Sequence, residues 1–81
     1  MMIYPVATEK SINQISKNNT IVFAVESDAN KKSVKEYIEK EFQVKVADVR
    51  VHNTFHGKKI AFVKLRKEFP AMDIASKLKI L

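Results

Sequence analysis

Residues 44–66 read VKVADVRVHNTFHGKKIAFVKLR, two β-rich arms on either side of Gly57, the chain's one glycine. Valine, isoleucine and phenylalanine fit a pleated surface, and a tight reversal is where a glycine's positive φ is needed. The stretch predicts a hairpin in which Val44 to about Asn53 pairs with Lys58 to about Arg66, turning around His56-Gly57. Along the second arm Ala61, Val63 and Leu65 fall on one face, and Ile60, Phe62, Lys64 and Arg66 on the other. Along the first arm the apolar parity switches from Val44 and Val46 to Val49 and Val51, so a bulge is expected near Ala47-Asp48.

Upstream of the hairpin, Asp28 is a candidate cap for a helix running to about Phe42. Val34, Tyr37, Ile38 and Phe42 give it a stripe at three- and four-residue spacing, with Glu36 and Lys40 paired outside. Thr20 to Glu26 reads as a central strand, because Ile21, Phe23 and Val25 alternate with the smaller but still apolar Val22 and Ala24. Before it, Thr8 caps a helix that carries Ile12 and Ile15 and closes at Lys17-Asn18-Asn19. Met1 to Val6 forms a short strand, with Pro5 suited to a first or edge position. Downstream, Pro70 opens a last helix at its first turn, with Ala71, Ile74, Ala75 and Leu78 inside. The order β-α-β-α-β-β-α predicts an α+β fold, a small, mostly antiparallel sheet with helices packed on it. No linker or repeat interrupts it, so residues 1–81 are expected to form one domain.

A domain this small buries only about 60 % of the surface of its unfolded chain, so a stabilising partner is expected. Apolar residues at 46 % and charged residues at 30 % describe a folded, water-facing chain. With no cysteine, disulfides and thiolate metal sites are excluded, and a cytoplasmic location is the default. The longest apolar run falls far short of the roughly 18 residues of a membrane span, and no signal pattern opens the chain, so neither insertion nor secretion is expected.

The net charge is +6, and residues 44–68 hold +5 of it: Lys45, Arg50, Lys58, Lys59, Lys64, Arg66 and Lys67 stand against Asp48 and Glu68. A local basic surface raises the concentration of a polyanion and steers its approach, and nucleic acid is the commonest such partner. Charge alone leaves that reading level with a solvated lysine-rich surface. The hairpin also offers the neutral donors His52, Asn53, Thr54 and His56, which can meet phosphates, base edges or 2′-hydroxyls. Phe55 at the tip either stacks on an unpaired base or folds back over the sheet, with equal weight. Phe23 and Phe62 lack the glycine-and-basic frame of an RNA-recognition-motif sheet and read as core.

Catalysis has little support. On one strand arm His52 and His56 stand roughly 13 Å apart, too far to share a metal, and no carboxylate cluster completes a shell. One glycine cannot build a phosphate-cradling loop, and no serine stands beside a base in a readable motif. Neither a cofactor, a metal nor an enzymatic activity is expected.

Taken together, Pro5 with Thr8-Glu9-Lys10-Ser11, Asn19-Thr20-Ile21-Val22-Phe23 with Val25, Ala29 and Lys31, Phe42-Gln43-Val44-Lys45-Val46, and Lys58-Lys59-Ile60-Ala61-Phe62-Val63-Lys64-Leu65 carry a resemblance over nearly the whole chain. In order and spacing they resemble the universal large-subunit ribosomal protein twenty-three family, in its short archaeal-type form. The resemblance implies a structural constituent of the large subunit, bound to its rRNA beside the nascent-peptide exit tunnel and touching neighbouring ribosomal proteins. It adds Thr8, Lys10, Ser11, Lys31 and Lys32 to the rRNA-binding set of Lys45, Arg50, His52, Asn53, Thr54, His56, Lys58, Lys59 and Lys64. It also implies a landing point for the signal recognition particle, nascent-chain chaperones and the translocon, with Glu9 in the matching motif. The plainer reading of Glu9 is a carboxylate complementing its helix dipole, and the two are compatible. Bacterial members carry a long basic loop that reaches into the tunnel; this chain turns at once around Phe55-His56-Gly57, so that reach is not expected. Outside the ribosome, a basic binding module sharing the fold is the alternative class.

Overall fold

The structure is a computed structural model that describes residues 3–53 and 58–79. Its elements follow the expected order: β1 Ile3–Pro5, α1 Glu9–Asn18, β2 Thr20–Val25, α2 Lys31–Phe42, β3 Val46–Asn53, β4 Lys59–Leu65 and α3 Ala71–Lys77. The strands form one antiparallel sheet in the order β1-β2-β4-β3, which places β2 centrally and Pro5 on an edge. The expectations for Thr54, Phe55, His56 and Gly57 lie outside the described residues, although the two arms beside them pair as foreseen, Asn53 with Lys59 and Val51 with Ala61.

The first two helices begin where a neighbouring side chain satisfies their free backbone groups. Thr8 caps α1 through the Ser11 N–H, and Ser11 answers by accepting the Thr8 N–H at 2.8 Å. For α2 the same box is built by Asn30 and Ser33. This corrects the expectation of Asp28, which sits in a turn closed by the Ala29 N–H donating to the Glu26 carbonyl. Ala29 is buried ahead of the helix, whose start is set by the Asn30–Ser33 box. Pro70 stands one position outside α3 rather than in its first turn, with φ −63° and ψ 127°.

The bulge explains how β3 keeps its valines inside. Val46 and Val49 are both buried although three residues apart, which an unbroken two-residue alternation forbids; the register shifts between Val46 and Asp48. Ile21, Phe23, Val25, Val49, Ala61, Val63 and Leu65 then share one core with Ile15 of α1, Val34 and Ile38 of α2, and Ala71, Ile74 and Ala75 of α3. Tyr37, Phe42 and Leu78 pack on its margin.

The opposite sheet face is formed by the intervening residues. Phe62 belongs to it, and the expectation that Phe62 is core is corrected: it is half-buried and stands outside the core cluster, whereas Phe23 is buried within it. Strand alternation is the reason, since Phe62 lies between the core residues Ala61 and Val63.

Candidate nucleic-acid interface

Cross-strand register sorts the second face into three rows. Thr20, Lys64 and Asp48 form one; Val22, Phe62 and Arg50 the next; Tyr4, Ala24, Ile60 and His52 the third. Apolar side chains therefore occupy the middle of this face, while Arg50, His52, Lys64 and Asp48 ring the β3 side. His52 and Phe62 meet edge to face, with ring centroids 5.4 Å apart and planes at 82°. Asp48 and Arg50 approach within 3.6 Å with side chains 59 % and 75 % exposed. A pair so exposed adds about 0–1 kcal/mol to stability at most, so it steers the guanidinium more than it holds the fold.

A groove of about 440 Å³ lies over this region, bounded by Gln14 and Asn18 of α1, Thr20, Asp48, Arg50, His52, Phe62 and Lys64. On the other side of the bulge a second depression of about 340 Å³ is bounded by Lys31, Lys32, Lys35, Ala47, Asp48 and Val49. Asp48 borders both. The edge strand β3 is thus a ridge with three lysines on one flank and Arg50 and Lys64 on the other, joining two regions of sequence that charge counting kept apart.

The remaining expected site residues are placed as follows. Lys10 is exposed one turn from Gln14 on α1, and Lys45 is exposed just ahead of β3. Asn53 and Lys58 are exposed at the ends of the hairpin arms. Lys59 instead lies on the core-facing side, and its ammonium donates to the Ala29 carbonyl at 3.0 Å. Ser11 is buried, its hydroxyl donating to the Val6 carbonyl at 2.7 Å, and Thr8 shares the capping box with it. Glu9 is exposed in the first turn of α1. Thr54 and His56 lie outside the described residues. Among the described residues, no group of three histidines or carboxylates could hold a metal ion, and no helix is long and apolar enough to cross a membrane.

Sequence reasoning did not single out Gln14, Asn18 or Lys35 and read Phe62 as core, although all four border the two depressions. The parity of β4 separated Phe62 from Ala61 and Val63, and Lys35 follows Lys31 by one helical turn, so both carried a signal. The convergence of α1 with the second sheet face carried none.

Residues 1–72 match the family described as Ribosomal protein L23. The large ribosomal subunit protein uL23 of Methanobrevibacter smithii is 45 % identical over 78 residues, covering 96 % of this chain and 91 % of that protein. Its counterpart in Methanothermobacter thermautotrophicus is likewise 45 % identical over 78 residues, with coverage of 96 % and 91 %. That of Caldivirga maquilingensis is 42 % identical over 76 residues, 94 % of this chain and 88 % of its own length.

Proposed function

This chain belongs to the ribosomal protein L23 family, and we propose that it is a non-catalytic part of the large ribosomal subunit that grips rRNA along the β3 ridge. The observation that carries the reading is the placement of Lys31, Lys32 and Lys35 on one flank of the bulge and Arg50 and Lys64 on the other. Phosphates of a folded RNA approach from more than one direction, and cations on both flanks of one rigid edge can neutralise several at once. Because β3 is bent at Ala47 and its Val46 N–H is taken by the Glu39 carboxylate at 3.0 Å, that edge is poorly suited to pairing with another strand. Residues 1–81 act as one rRNA-binding unit in this reading, with neighbouring ribosomal proteins as further partners.

The finer part of the proposal places the protein beside the nascent-peptide exit, with Glu9 turned to solvent as a fixed carboxylate for targeting factors, chaperones or the translocon. Its support is the family motif and the exposure of Glu9 at a capped helix start. Sedimentation tests the ribosomal reading: the protein should travel with large subunits through a sucrose gradient at moderate salt. A basic module working outside the ribosome would stay near the top.

A further inference from the structure

We propose that the second sheet face receives an unpaired RNA base, held in the corner made by Phe62 and His52; this rests on the rRNA-binding reading above and specifies which part of the RNA the face takes. Two rings at 82° with centroids 5.4 Å apart make two walls of a corner. A planar base can stack on one wall while its edge meets the other, the two arrangements that aromatic systems favour. The groove over this corner, about 440 Å³, falls within the roughly 300–1,000 Å³ of clefts that enclose small organic ligands.

The chemistry around the corner suits a nucleotide. Arg50, paired with Asp48 at 3.6 Å, lies directly across from Phe62, and Lys64 is the next residue on that face of β4, so two cations stand beside the corner for the phosphates of a stacked base. At the rim the Asn18 side-chain amide donates to Gln14 Oε1 at 2.6 Å. The Gln14 side-chain N–H groups and the Asn18 side-chain oxygen have no partner among the described residues, and such amides match the donors and acceptors of a base edge. Tyr4, 51 % exposed, supplies another ring on the row of His52, three strand spacings or roughly 14 Å away. A paired A-form helix keeps its bases inside and would leave these rings unused. An apolar protein segment would cover the rings but leave Arg50 and Lys64 with the single carboxylate of Asp48 between them, whereas RNA brings phosphates to both.

Two probes test this with the full chain: a short single-stranded oligoadenylate carrying 2-aminopurine, and a blunt-ended RNA duplex. The wild-type protein should quench the 2-aminopurine on binding. Phe62→Leu, which keeps the apolar packing and removes the ring, should lower the ratio of single-strand to duplex affinity roughly tenfold, within what stacking on one ring contributes. Phe62→Tyr should restore it, and His52→Ala should weaken single-strand binding in the same direction. An unchanged ratio in Phe62→Leu, or no quenching at saturation, overturns the proposal while leaving the rRNA reading intact. If subunits carrying Phe62→Leu lose a neighbouring protein with the ratio unchanged, the face belongs to that protein and the proposal is equally overturned. Lys31→Ala with Lys32→Ala probes the rRNA reading separately, since it should weaken both complexes; unaltered binding of both would sink that reading itself.

Discussion

The side-chain oxygen of Asn19 accepts the backbone N–H of Ala71 at 2.6 Å, across 52 positions of sequence. Pro70 has no side chain able to cap α3, so a residue at the opposite end of the chain performs the task. The two N–H groups of the same amide are shared among the carbonyls of Leu65, Arg66 and Phe69, each 3.2 Å from its nitrogen, and the Asn19 backbone sits at φ 52° to end α1. One residue thereby joins the end of α1, the start of β2, the exit of β4 and the start of α3.

Asn19→Ala should cost about 2–3 kcal/mol, combining lost hydrogen bonds with the penalty of a Cβ in the left-handed region. Asn19→Gly keeps the backbone conformation accessible and should recover about 1 kcal/mol of that loss. Urea denaturation followed by circular dichroism gives both values. Equal stability in the two variants would show that the backbone conformation contributes nothing.

Ile38→Ala removes a fully buried side chain from the stripe of α2 and should cost roughly 2–5 kcal/mol, a large share of the stability of a domain this size. Thermal melting of the free protein checks it. A melting temperature that barely moves would mean that the cavity closes without loss.

Gln43 ends α2 in the left-handed conformation at φ 54°, a place that glycine fills without strain. Gln43→Gly should therefore stabilise the protein by about 0.5–1 kcal/mol, part of the left-handed penalty being offset by glycine's greater freedom when unfolded. A destabilised variant would assign Gln43 a side-chain role that its exposure does not suggest.

Much of this fold was legible because periodicity reports burial. The stripe Val34, Tyr37, Ile38 and Phe42 places α2, and the parity switch between Val46 and Val49 marks the bulge. What escaped were features set by distant contacts. Asn19 looked like a helix end, with nothing in its neighbours to say that Ala71 waits for it. Asp28 and Asn30 are both good caps, and the choice fell to Ser33, whose hydroxyl completes the box only for Asn30. At the interface, counting charge found the hairpin, but the meeting of Lys31, Lys32 and Lys35 with β3 depends on how α2 crosses the sheet.

Glu9→Lys should leave incorporation into the large subunit normal and slow the recruitment of a targeting factor or chaperone, because a rim charge acts mainly on association rate and its salt dependence. Stopped-flow binding to purified ribosomes measures it. Wild-type recruitment of every tested factor would reduce Glu9 to the partner of its helix dipole.

The grip of the β3 ridge on rRNA is tested most directly by the salt dependence of binding to large-subunit rRNA, comparing wild type with the triple variant Lys31→Ala, Lys32→Ala, Arg50→Ala. Each phosphate neutralised releases close to one counterion, so the log–log slope of the variant should be shallower by roughly two to three units. The three side chains are exposed, and folding should be little affected. A variant that binds with the wild-type affinity and slope would contradict the account, since the cations on the two flanks of the bulge would then not touch the RNA.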